Sequence, residues 1–158
     1  MPEQPKVVAI VLDNPALRSI LTMVLASVPS LRVRPFESAV ALATYMHLAP
    51  VHLIVADFDS LELPADRLAR EIGADPVIAV QDFQIVALTG EATAARKRAS
   101  IAAGIDEIIV KPMSPKYLLE RVLSRLDRRA APPAPRPAFV PRGDNVIPLF
   151  AHRPQPVH

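Results

Sequence analysis

Residues 7–25 read VVAIVLDNPALRSILTMVL, and this stretch decides the class of the fold. Its opening, Val7 to Leu12, is continuously apolar and rich in β-branched side chains, the pattern of a strand covered on both faces. Leu17, Ile20, Leu21, Val24 and Leu25 then fall at i, i+3, i+4, i+7 and i+8, one face of a helix. Between them Asn14 can cap the helix and Pro15 can occupy its first turn, where a missing N–H costs nothing. A buried strand passing through a capped turn into an amphipathic helix is the repeating unit of a parallel α/β sheet.

The same unit recurs along the chain. Leu31 to Phe36 reads as a second strand and Ser38 to Leu48 as a second helix. Leu53 to Ala56 is a third strand ending at Asp57, followed by a short helix over Pro64 to Ile72 that Gly73 should stop. Gln84 to Leu88 is a fourth strand ending at Thr89, with a helix over Ala92 to Ala103 stopped by Gly104. Glu107 to Val110 is a fifth strand ending at Lys111 and Pro112. Leu119, Val122, Leu123 and Leu126 form the stripe of a last helix. The segment Pro76 to Val80 stays open between an edge strand, a loop and the start of the fourth strand. Five such repeats with right-handed crossovers predict a doubly wound, five-stranded parallel sheet in the order 2-1-3-4-5.

Composition bounds the rest. The chain has 158 residues and no cysteine, which excludes thiol catalysis, Cys-ligated zinc and iron–sulfur clusters. The start, MPEQPK, has no apolar run of a signal peptide, and no 18-residue apolar stretch occurs, so a cytoplasmic protein without membrane partners is expected. Residues 1–129 hold 15 basic and 15 acidic side chains, so the net charge of +2 comes from the end of the chain. No concentrated basic face of a nucleic-acid binder is expected. Arg96, Lys97 and Arg98 are the one tight basic run and read as a solvated helix face. Eight of the 18 prolines fall in the last 29 residues, and the segment AAPPAPRP from Ala130 can form neither helix nor central strand. A domain over 1–129 and a disordered, proline-rich tail over 130–158 are therefore expected. The tail's compact apolar cluster, Val146 to Phe150, could alternatively dock on a partner or fold back as an extended segment.

Polar residues interrupt the strands at one kind of position. Asp13, Asp57, Thr89 and Lys111 follow strands 1, 3, 4 and 5, at the carboxyl ends where open α/β sheets place their ligand crevice. In the expected order those four strands are neighbours, so the four side chains should converge. Two carboxylates suit a hard cation such as Mg²⁺, and a carboxylate can also be a nucleophile toward phosphorus. Lysine and threonine can stabilise phosphoryl oxygens. Together they form a phosphoryl-transfer set.

The segments VLDNPALRSIL, LIVADFD, IVALTG, AAGIDEIIVKP and SPKYLLERVLSRL, in that order over about residues 5–128, resemble a response-regulator receiver domain of two-component signalling. The resemblance implies a flavodoxin-like (βα)5 fold in a stand-alone phospho-acceptor that is not an enzyme. It implies Asp57 as the acceptor, Asp13 as a Mg²⁺ ligand with the Asp59 backbone carbonyl, Thr89 as the switch hydroxyl and Lys111 as the phosphate-pairing lysine. It also implies a cis bond before Pro112. The phosphoryl donor would be a histidine kinase or histidine phosphotransfer protein. Output would be through a downstream protein bound at the face of helix 4, strand 5 and helix 5. Two residues depart from the pattern. Leu12 stands where a second acid is usual, which should weaken Mg²⁺ binding unless the Asp59 side chain compensates. Ile108 stands where a switch aromatic is usual.

Two other readings compete. Leu12 and Ile108 suit an atypical receiver that takes no phosphate and serves as an interaction module. Asp57-Phe58-Asp59-Ser60 also resembles the first motif of haloacid-dehalogenase-type phosphatases, which would need Asp144 as a later acid. His47 and His52 read as surface residues, too isolated for a metal.

Overall fold

The computed structural model describes residues 4–78, 82–130 and 146–148. The chain runs β1 (Lys6–Val11), α1 (Pro15–Ala26), β2 (Leu31–Phe36), α2 (Ala39–Leu48), β3 (Leu53–Asp57), α3 (Ala65–Gly73), β4 (Gln84–Thr89), α4 (Ala94–Ala103), β5 (Glu107–Val110), α5 (Pro115–Ala130) and β6 (Val146–Pro148). The first five strands are parallel in the order β2-β1-β3-β4-β5, as the repeats predict. The sixth is a departure: it adds antiparallel to β5, with Ile109 opposite Val146 and Glu107 opposite Pro148. Residues 131–145 and 149–158, the remainder of the expected tail, lie outside the described residues.

Alternation along the strands divides the core into two layers. Ala9, Ile54, Ala56, Ile85, Ala87 and Ile108 face α2 and α3, against Leu42, Met46, Leu68 and Ile72. Val8, Ile10, Val55, Val86, Leu88 and Ile109 face α1 and α5, against Leu21, Leu25, Leu118 and Val122. Both faces of the sheet are thus covered, which is why its strands read as continuous apolar runs.

Local chemistry sets the helix starts. Asn14 Oδ1 accepts the Leu17 N–H at 3.0 Å, Ser38 Oγ that of Ala41 at 3.1 Å, and Thr93 Oγ1 that of Arg96 at 3.1 Å. Gly104 ends α4 with φ 86°, a left-handed turn that glycine adopts without strain. Gly73 does no such thing: it is the last residue of α3, and the following Ala74 closes the helix in right-handed geometry. The last helix also runs one residue past the expected boundary, to Ala130. In the ambiguous segment, Pro76 and Val77 form a turn held by the Asp75 carboxylate, which accepts the Val77 N–H at 2.9 Å. Residues 79–81 lie outside the described residues.

The two histidines have structural partners. His52 is partly buried, and its Nδ1 accepts the Val7 N–H at 2.9 Å, joining the starts of β1 and β3. His47 Nε2 lies 2.8 Å from an Asp75 oxygen. Neither is distinguishable in sequence from a plain surface residue, because the partners come from other elements. At the start of β5, Glu107 is fully buried and receives Arg121 at 2.7 and 3.0 Å and Arg125 at 2.5 Å. This clamp ties β5 to α5 and so steadies the strand that ends at Lys111.

Candidate functional site

The carboxyl ends of β3, β4 and β5 deliver Asp57, Thr89 and Lys111 to one rim, because the three strands are consecutive neighbours in register. The Lys111 ammonium lies 2.9 Å from Asp57 Oδ2 and 3.0 Å from Asp59 Oδ2, bridging two carboxylates two residues apart. The other Asp57 oxygen, Oδ1, accepts the Asp59 N–H at 2.8 Å, so the turn after β3 folds onto the acid that ends it. Asp57 is mostly sheltered, with a side chain 12% exposed, at the carboxyl end of β3. The peptide bond between Lys111 and Pro112 is cis.

Asp59 is drawn deeper into this network than its turn position suggested. Its Oδ2 accepts the Gly90 N–H at 2.7 Å, and its Oδ1 accepts Arg96 Nη1 at 2.8 Å. A side chain on Gly90 would bring a Cβ to 3.1 Å from Asp59 Oδ2, so glycine permits the approach. Partial burial raises the Asp59 carboxyl, but hydrogen bonds from Lys111, Arg96 and Gly90 outweigh it and hold the group below the usual carboxylate range. For Lys111, burial lowers the ammonium, but Asp57 and Asp59 outweigh it and raise it. With its carboxylate already bonded to two cations and an amide, the Asp59 side chain is poorly placed to replace the acid missing at Leu12.

Thr89 is fully buried. Its hydroxyl donates to the Glu91 carbonyl at 2.8 Å and accepts from the Glu91 N–H at 3.2 Å and from Arg96 Nη1. It therefore connects with Asp57 through Arg96 and Asp59 rather than by direct contact. Asp13 is exposed, and its Oδ2 accepts the Ser60 hydroxyl at 2.6 Å and the Leu61 N–H at 3.2 Å. It thereby holds the loop that follows Asp57. Leu12, 2% exposed, packs with Leu21, Leu25 and Leu118 beneath that rim.

Among the described residues no group of three His, Cys, Asp or Glu side chains is clustered as a metal cage. Mg²⁺ does not demand one: it uses one or two carboxylates and completes its shell with water and phosphate oxygens. Asp13, Asp57 and the Asp59 carbonyl are hard oxygen donors of that kind, so the set fits the ion in its chemistry.

Arg96 and Ser60 are the residues that sequence reasoning missed. The sequence groups Arg96 with Lys97 and Arg98 as solvated charge, and the structure corrects this for Arg96, which bonds Asp59 and Thr89. A signal was present: Arg96 is the third residue after the Thr93 cap, and a cation in a helix's first turn opposes the helix dipole. Such a residue needs an acidic partner, and Asp59 is it. Nothing in the sequence pointed to Ser60 as the partner of Asp13, because the pairing crosses from β1 to β3.

A family model described as the response regulator receiver domain matches residues 8–123. No curated protein matches the sequence. Among solved structures, a CheY-like receiver domain protein from Methanospirillum hungatei JF-1 is similar, with 21% identity, a TM-score of 0.70, and coverage of 80% of this chain and 98% of that one. The chemotaxis protein CheY4 of Vibrio cholerae has 19% identity and a TM-score of 0.67, with 77% and 98% covered. A response regulator receiver protein from Pseudomonas putida has 22% identity and a TM-score of 0.65, with 78% and 99% covered. At these identities the structural likeness speaks for the fold.

Proposed function

The chain belongs to the response regulator receiver family, and from that premise we propose that Asp57 is its phospho-acceptor. Receivers are signalling modules of phosphorelays. They interact with histidine kinases and downstream targets, and typically bind Mg²⁺ at the phosphorylation site. The observation that carries the residue assignment is the ammonium of Lys111 between Asp57 and Asp59, at 2.9 and 3.0 Å, where β3 and β5 end.

An Asp57 oxygen attacks the phosphorus of a phosphohistidine or a small acyl phosphate. The new P–O bond forms as the donor's P–N or P–O bond breaks, and the donor leaves with that electron pair. Lys111 follows the charge as it spreads onto the phosphoryl oxygens, so the site works by positioning and electrostatics. Thr89 offers a hydroxyl to one of those oxygens once its loop hydrogen bonds exchange. Asp13, Asp57 and the Asp59 carbonyl would hold Mg²⁺, which when bound neutralises charge on the transferring group. The chain then signals by a changed affinity for a partner rather than by turnover. Its output face is helix α4, strand β5 and helix α5, where β6 pairs along β5 and yields that edge to a partner.

Intact-mass measurement with acetyl phosphate and Mg²⁺ tests this reading. The wild type should gain one phosphoryl group, and Asp57→Asn none. A second reading has support in the buried Leu12 and in the pairing of Asp59 with two cations: an interaction module that takes no phosphate. A folded wild type without mass gain would favour it. The phosphatase alternative relied on Asp144, which lies outside the described residues, and would require turnover of a phosphate ester.

A further inference from the structure

Arg96 stands in the first turn of α4, where amides already carry partial positive charge, and its guanidinium finds compensation off the helix. Nη1 donates to Asp59 Oδ1 at 2.8 Å and to the Thr89 hydroxyl. Its Cζ also lies 5.7 Å from the centre of the Phe58 ring. The arginine thus ties the start of α4 to the turn after β3 and the end of β4. The helix itself is thinly anchored: Ser100 is its buried residue, bonded back to the Arg96 carbonyl at 2.8 Å, while Ile101 is 42% exposed. Movement of Arg96 therefore meets little resistance from core packing.

We propose that Arg96 transmits the charge state of Asp57 to α4: when Asp57 carries a phosphoryl group, the guanidinium exchanges Asp59 for a phosphoryl oxygen and draws the first turn of the helix with it. This rests on Asp57 as acceptor. A phosphoryl group adds up to roughly two negative charges and three acceptor oxygens. A guanidinium presents several donors in a fixed fork that matches them. Asp59 keeps Lys111 and the Gly90 amide as partners when Arg96 departs, so no carboxylate is stranded. Because the same nitrogen donates to the Thr89 oxygen, its departure also removes one of the contacts that hold that hydroxyl, which turns toward the phosphoryl group when its proton leaves the Glu91 carbonyl. Ile108, fully buried and aliphatic, has no ring whose swing could couple site to surface. An arginine rooted on α4 supplies a route that bypasses β5.

The test uses full-length, ¹⁵N-labelled protein with beryllofluoride and Mg²⁺ as the phosphoryl mimic. The ¹⁹F signal of bound fluoride reports occupancy of Asp57, and amide shifts of residues 94–100 report α4. Wild type should bind and shift the α4 amides. Arg96→Gln should bind about tenfold more weakly, the loss of one charge-assisted hydrogen bond, and should lose most of the α4 response. Arg96→Lys keeps the charge without the fork and should lose only severalfold in affinity, while its α4 shifts shrink. It carries the test if the glutamine variant does not fold. Unchanged affinity and unchanged α4 shifts in the substituted proteins would overturn the role of Arg96 while leaving Asp57 as acceptor. Absence of bound fluoride in the wild type would overturn the acceptor reading, and this inference with it.

Discussion

Replacing Glu107 by alanine strands a buried cation. Glu107 is fully buried, and its carboxylate receives Arg125 Nε at 2.5 Å and two Arg121 nitrogens at 2.7 and 3.0 Å. The Arg121 side chain is 21% exposed and can turn toward water. Arg125, 1% exposed, cannot; of its contacts here the Asp106 carbonyl at 3.1 Å would remain. Removing one partner of a buried ion pair costs about 3–5 kcal/mol, because the other charge stays desolvated. With a urea m-value of about 2 kcal/mol per molar for a domain of this size, the midpoint should fall by about 1.5–2.5 M. The assay is urea unfolding followed by far-ultraviolet circular dichroism. A paired Glu107→Leu, Arg125→Leu protein should recover most of the loss, since apolar replacement of a whole buried pair is often neutral. A single-variant loss below about 1 kcal/mol, the range of exposed pairs, would refute the reasoning.

Three further outcomes follow from the site and the sheet edge. Leu12→Asp should raise Mg²⁺ affinity about tenfold by adding ligand charge, yet lower stability by about 2 kcal/mol because the position is 2% exposed and packed on Leu21 and Leu25. Mg²⁺ titration and urea unfolding read the two effects, and unchanged affinity would remove Leu12 from the metal rim. Asp59 sits below its ordinary value of 3.8, so its stabilisation is present above that pH and fades as pH falls through the lowered folded value. Lys111 sits above its ordinary 10.5, so its contribution is full below that pH and fades as pH rises through the raised value. Thermal melts between about pH 2 and 5 should show a flatter acid limb for Asp59→Asn than for wild type. Finally, shortening the chain after Ala130 removes β6 and should speed hydrogen exchange in β5, Glu107–Val110; equal rates would leave the pairing without a stabilising role.

What could be read along the chain is what local chemistry controls. Continuous apolar strands, helical stripes, the caps at Asn14 and the left-handed Gly104 each depend on neighbours within a few residues, so the parallel order and the rim positions of Asp57, Thr89 and Lys111 were legible. Three things depended on distant partners and were decided by packing alone. Arg96 joined Asp59 across 37 positions and left the solvated run to which its neighbours in sequence had assigned it. Asp13 turned to Ser60, 47 residues away, and Val146–Pro148 found the edge of β5. A strand or a cap is selected by short-range sterics and amide hydrogen bonding, and these are written in residue order. An ion pair or an edge pairing is selected by which surfaces the folded sheet brings within about 3 Å, a distance that no spacing along the chain encodes.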